Sequence, residues 1–175
     1  MRVKPINVQL IPSVFTLANL FFGFLSLVFT LDGEFRLAAG MILLSVLFDS
    51  LDGKVARKLS ASSDFGKELD SLSDLVSFGV APALLTYKAF LQDHLGYYGL
   101  LIAAGFTLCG AVRLARFNVL DISTHFVGVP ITFAGGLMAL LMLFHKLVPW
   151  VLYPVFLAVL AILMVATFRV PKLGK

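Results

Sequence analysis

Six apolar runs, each long enough to cross a bilayer, dominate this chain. A helix rises 1.5 Å per residue, so about 20 residues span a hydrocarbon core ~30 Å thick. Water is absent there, and a spanning segment must satisfy its own backbone groups, which helices do. The runs fall near residues 11–31, 36–58, 68–89, 97–118, 128–146 and 149–168. Between them stand LDGEFR, KLSASSDFGKE, LQDHLGYY, NVLDISTHFVG and HKLVP, each rich in turn formers or charges. Composition agrees: 59% of the 175 residues are hydrophobic and 14% are charged, where soluble domains carry about 25% charged residues. The predicted fold is all-α, a polytopic integral membrane protein of six transmembrane helices, with residues 1–175 forming a single membrane domain. The run after Pro12 lacks a small-residue cleavage site and reads as a span rather than a signal peptide. The single cysteine, Cys109, permits no intramolecular disulfide.

The net charge of +4 is explained by where the cations sit, without nucleic acid. Six spans put both termini on one side, with Arg2, Lys4, Lys54, Arg57, Lys58, Lys67, Arg113, Arg116, Arg169, Lys172 and Lys175. Only Arg36, Lys88 and Lys146 fall on the other. Such a bias predicts a multi-pass protein of the cell membrane with the termini cytoplasmic. Tyr87, Tyr97, Tyr98, Tyr153 and Trp150 then gather at the opposite interface, where amphipathic rings are favoured.

Against this background, residues 48–79, FDSLDGKVARKLSASSDFGKELDSLSDLVSFG, hold six of the ten acidic residues. Asp49 and Asp52 are i, i+3 near the end of the second run; Asp70 and Asp74 are i, i+4 near the start of the third. Each pair shares a helix face, and consecutive antiparallel spans bring both pairs to the same cytoplasmic depth. Four carboxylates there need compensation, and oxygen donors suit Mg²⁺, Mn²⁺ or Ca²⁺. Four can hold two ions of the kind used in two-metal catalysis. Asp64 and Glu68 have a simpler reading, as solvated acids at a helix N-terminus. Gly53 and Ala56 continue the first acidic face and Gly66 the second, leaving room for a bulky ligand. Arg57 at the same helix end is a natural phosphate clamp.

The spacing Asp49-x2-Asp52-Gly53-x2-Ala56-Arg57-x8-Gly66-x3-Asp70-x3-Asp74 resembles the signature of the CDP-alcohol phosphotransferases, with every fixed position present. The six-span architecture is similar to that family too. The resemblance implies a two-metal site loaded with Mg²⁺ or Mn²⁺, a CDP-linked lipid donor, release of CMP and a homodimer. Carried over by position, Asp49, Asp52, Asp70 and Asp74 are metal ligands and Asp74 is also the general base. Asp52, Gly53, Ala56, Arg57 and Gly66 then line the nucleotide and diphosphate. Thr16, polar and near the cytoplasmic end of the first span, reads either as a nucleotide contact or as a cross-helix hydrogen bond, as does Asn19.

That signature names the donor chemistry only. CGAVRLARFNVL (109–120), HFVGVPITFAGG (125–136) and ELDSLSDLVSFGVAP (68–82) resemble the phosphatidylserine synthase branch. This implies transfer of a phosphatidyl group from CDP-diacylglycerol to the hydroxyl of L-serine. Arg113 and Arg116, i, i+3 on one face, are candidates for the serine carboxylate, with Asn118 beside them. Their alternative role is that of interfacial anchors, and Asn118 can simply cap its helix. Rival acceptors are glycerol 3-phosphate and inositol phosphates, which need more basic residues. A divalent-cation transporter would place its acids near the bilayer midplane, not at one end. Elsewhere, Pro82 is expected to kink the third helix, and Gly105, Gly110, Gly135 and Gly136 to permit close helix packing.

Overall fold

The computed structural model describes residues 6–59, 63–119, 126–166 and 169–170. Six helices carry the chain: α1 (Ile6–Leu31), α2 (Phe35–Leu59), α3 (Asp64–Leu95), α4 (Tyr97–Val119), α5 (Ile131–Leu143) and α6 (Leu152–Val165). The two-residue strands Phe126–Val127 and Arg169–Val170 pair antiparallel. Among the described residues, three helical stretches are long and apolar enough to cross a membrane: Pro12–Leu31, Asp64–Leu95 and Tyr97–Val119. α2 has the length, with 25 residues, but carries Arg36 and five charges after Phe48. α5 and α6 are shorter, at 13 and 14 residues.

Turn chemistry sets the connections. Gly33, at φ +79°, joins α1 to α2, and Gly96, at φ +53°, joins α3 to α4, both in the left-handed region that favours glycine. The hydroxyl of Ser63 accepts from the Gly66 amide at 3.0 Å and caps α3. The C-terminal carbonyls of α6 are satisfied from outside the helix. The Val129 amide donates to Leu163 O at 3.1 Å, and Arg116 Nη1 donates to Val165 O at 3.0 Å.

α1 packs against α2 and α3 through a stripe of small and polar residues, with Ser13, Thr16, Asn19, Ser26 and Thr30 all buried. Serines on its neighbours donate to its backbone: Ser45 and Ser77 to Asn19 O, at 3.0 and 3.1 Å, and Ser73 to Thr16 O at 3.0 Å. Such bonds replace the hydrophobic driving force that helices lack in lipid.

α3 is unbroken, but its turns widen to π geometry over Leu75–Val80 and Tyr87–Leu91. The Ala81 amide reaches back to Val76 O. The first wide stretch lies just before Pro82, which has no amide hydrogen to donate to the preceding turn. The widening falls where the sequence predicts a kink. Thr107 of α4 donates to Gly79 O at 3.2 Å within that stretch. α5 presses against it as well: a Cβ on Gly135 would lie 2.6 Å from Phe78 O. Gly110 and Gly136 likewise sit against Ile131 and Val46, but Gly105 faces open space and has no packing role.

At the end of the bundle remote from Asp49 and Asp74, His94 stacks on Trp150 with centroids 4.1 Å apart. Tyr97 and Tyr98 are exposed there, but Tyr153 is fully buried. It stacks on Phe90 and donates its hydroxyl to Leu141 O at 3.1 Å. It therefore belongs to the core rather than to an interfacial belt.

Candidate active site

Three carboxylates meet where α2 and α3 run together. Oxygens of Asp49, Asp70 and Asp74 all lie within 4.8 Å of one another. Asp74 is buried and the other two are half-buried. Like charges 4 Å apart repel by about 4 kcal/mol at an effective dielectric of 20. A hard divalent cation removes that repulsion, and the group offers only carboxylate oxygens, with neither Cys nor His. The residues fit such an ion, and the cluster can hold one.

Helix α1 supplies neutral support although it contains no acid. Asn19, fully buried, donates from Nδ2 to Asp74 Oδ1 at 3.1 Å. Its own Oδ1 is buried without a partner. The Thr16 hydroxyl donates to the Asp52 carboxylate, which is also buried. Asp52 thus bonds toward α1 and stands outside the group of three, one turn along α2 from Asp49. Thr132, at the start of α5, lines the cavity beside the cluster.

A cavity of about 610 Å³ opens beside the cluster, between α3, α4 and the start of α5. Asp70, Asp74, Arg113, Asn118 and Thr132 line it, with Asp64, Lys67, Glu68 and Ser71 toward its rim. Arg113 Nε is buried without a hydrogen-bond partner. Asn118 Nδ2 donates to Ser71 Oγ at 3.0 Å and to Glu68 Oε2 at 3.3 Å, tying α4 to α3.

The other expected residues fall as follows. Gly53 is exposed, and a Cβ on it would meet open space, so helix packing does not require glycine there. Arg57 is exposed in the last turn of α2. Gly66 sits over the Ser63 cap, its virtual Cβ 3.2 Å from Ser63 Oγ. Ala56 belongs to α2, but its side chain lies outside the described residues. Arg113 and Asn118 reach the cavity, whereas Arg116 is engaged on Val165 O. Sequence reasoning missed Thr132, whose one signal is a hydroxyl at the start of an apolar run; Glu68 is exposed, as expected, and lies at the cavity rim.

The family model of CDP-alcohol phosphatidyltransferases matches residues 9–168. This chain belongs to the CDP-alcohol phosphatidyltransferase family. Family membership brings a divalent metal requirement with it, in keeping with the carboxylate cluster. Among relatives of the chain is a Helicobacter pylori protein named CDP-diacylglycerol–serine O-phosphatidyltransferase, 36% identical over 98% of this chain and 76% of its own length. A Bacillus subtilis protein of the same name is 36% identical over 94% of this chain and 92% of its own. One from Methanocaldococcus jannaschii, again so named, is 50% identical over 75% of this chain and 62% of its own. Membrane-crossing helices in the phosphatidyltransferase are consistent with a lipid-linked donor.

Proposed function

We propose that this enzyme transfers the phosphatidyl group of CDP-diacylglycerol to the hydroxyl of L-serine, forming phosphatidylserine and CMP. The observation that carries this is the placement of the Asp49, Asp70 and Asp74 cluster beside a polar cavity that contains the unpartnered Arg113 Nε. The names of the full-length relatives support serine as acceptor.

In this reading Asp49, Asp52, Asp70 and Asp74 hold two divalent cations, Mg²⁺ or Mn²⁺. Bound there, the ions supply charge neutralisation and Lewis-acid polarisation of the diphosphate. Gly53, Ala56 and Gly66 leave the nucleotide room to approach, and Arg57 and Thr16 face the diphosphate side. Asp74, oriented by Asn19, takes the proton of the serine hydroxyl. The freed oxygen attacks the phosphorus that bears diacylglycerol. Its bond to the CMP oxygen breaks as the new P–O bond forms. Arg113 and Asn118 hold the acceptor, with Arg116 completing the same helix end.

The wider reading is one catalytic membrane domain over residues 1–175. It crosses the bilayer six times, with both termini and the site cytoplasmic, and works as a homodimer in the cell membrane. Charge asymmetry supports the orientation, and family resemblance supports the dimer; cross-linking in native membranes tests the latter.

The deciding experiment gives purified protein CDP-diacylglycerol, with ester- or ether-linked chains, and a panel of alcohols, and reads released CMP. Serine should be the preferred acceptor. Preference for glycerol 3-phosphate or an inositol phosphate would leave the family assignment standing and overturn the serine reading.

A further inference from the structure

We propose that Glu68, exposed at the cavity rim and hydrogen-bonded by Asn118, receives the ammonium group of the acceptor and so makes the site selective for a zwitterion. The inference rests on the serine reading and adds the residue that meets the second charge.

Four carboxylates line the cavity: Asp64, Glu68, Asp70 and Asp74. Asp70 and Asp74 belong to the cluster fitted to a cation. Asp64 has Lys67 Nζ at 3.7 Å. Glu68 differs, because its partner in the structure is neutral, the Asn118 amide at 3.3 Å. An ionised carboxylate has about four acceptor sites, so one neutral bond leaves room for an ammonium. Asn118 is itself fixed: its Nδ2 donates to Ser71 Oγ at 3.0 Å, and its Oδ1 lies 3.2 Å from the same hydroxyl. Ser71 is one turn beyond Glu68 on α3, so the Glu68 arm is tethered between two helices.

The opposite charge is met on α4. Arg113 Nε is buried without a partner in the same cavity, five residues and about 7.5 Å of helix rise from Asn118. An α-amino acid carries its ammonium and carboxylate on one carbon. A cavity offering Glu68, bonded to a neutral amide, and Arg113, whose Nε has no partner among the described residues, suits that pair of charges. Glu68 also acts against competitors, since a phosphate-bearing alcohol would meet a like charge.

The test compares L-serine with 3-hydroxypropanoate, which is serine without its ammonium, in wild type and in Glu68→Gln. Gln keeps the acceptor oxygen for Asn118 and removes the charge. Wild type should prefer serine by at least about tenfold in KM. In Glu68→Gln the serine KM should rise about ten- to hundredfold, the range for losing a charge-assisted bond. The KM for 3-hydroxypropanoate should hardly move, and discrimination against glycerol 3-phosphate should weaken. An unchanged serine KM, or an equal rise for both acceptors, would overturn the proposal. Should the variant fail to fold, wild type decides alone, because equal KM values for the two acceptors sink the idea. Wild type inactive with serine but active with another alcohol would instead remove the serine reading beneath it.

Discussion

Asn19 donates to Asp74 across 3.1 Å, from a helix that brings no acid to the site. Ser45 of α2 and Ser77 of α3 donate to the Asn19 main-chain carbonyl, so the backbone that carries the amide is anchored by both helices. Asn19→Ala should therefore leave Asp74 free to rotate. Hydrogen bonds to charged groups contribute about 1.5–3 kcal/mol, so kcat should fall roughly ten- to hundredfold. Steady-state kinetics should show little change in serine KM; a KM effect alone would place Asn19 in binding instead.

Removing divalent metal should abolish turnover, and Asp49→Asn, Asp70→Asn or Asp74→Asn should each lower it by several orders of magnitude. Asp64→Asn should be mild, because that exposed residue pairs only with Lys67 at 3.7 Å and surface pairs contribute little. CMP release before and after chelation, with Mg²⁺ or Mn²⁺ added back, measures this. Full activity in excess chelator would end the metal reading.

Arg113 and Arg116 should part company. Arg113→Ala is expected to raise the serine KM about ten- to hundredfold and to spare the CDP-diacylglycerol KM. Lys there should rescue only in part, having lost the planar fork. Arg116→Ala uncaps Val165 O, so its main effect should be a lower melting temperature in detergent. Equal serine KM changes in the two variants would return Arg116 to the acceptor.

Glycine at 135 is required by contact rather than by backbone conformation. A Cβ there falls 2.6 Å from the Phe78 carbonyl oxygen, and overpacking of this kind costs about 1–3 kcal/mol. Thermal unfolding should show Gly135→Ala clearly destabilised and Gly105→Ala, facing open space, close to wild type.

Orientation is testable through Ser62, which lies between α2 and α3 in sequence. With Cys109 replaced, a cysteine at 62 should react with an impermeant thiol reagent only in inside-out vesicles. Labelling of intact cells would reverse the proposed topology.

Much of this was legible beforehand, for identifiable reasons. Long apolar runs have few folded alternatives, so each expected span contains a helix, and the acidic pairs at helical spacing predicted the junction of α2 and α3. What the sequence left open depended on rotation about helix axes. Asp52 is i+3 from Asp49, yet that offset is enough for its carboxylate to find Thr16 rather than the other three acids. Gly105 and Gly110 look alike in sequence, and only the packed bundle tells which faces α5. Glu68 is exposed as read, but that it stands at the rim of a cavity has no signal in the local sequence.

The wide turn that follows Asp74 resets the phase of α3 in mid-course. An i, i+5 bond takes one more residue than an α-turn, so the residues beyond it, with Ala81, Leu85 and Leu91 in the core, are shifted in register relative to Asp70 and Asp74. Residues before the wide turn carry the carboxylates and bond α1 through Ser73, and residues beyond it carry the apolar packing of the bundle.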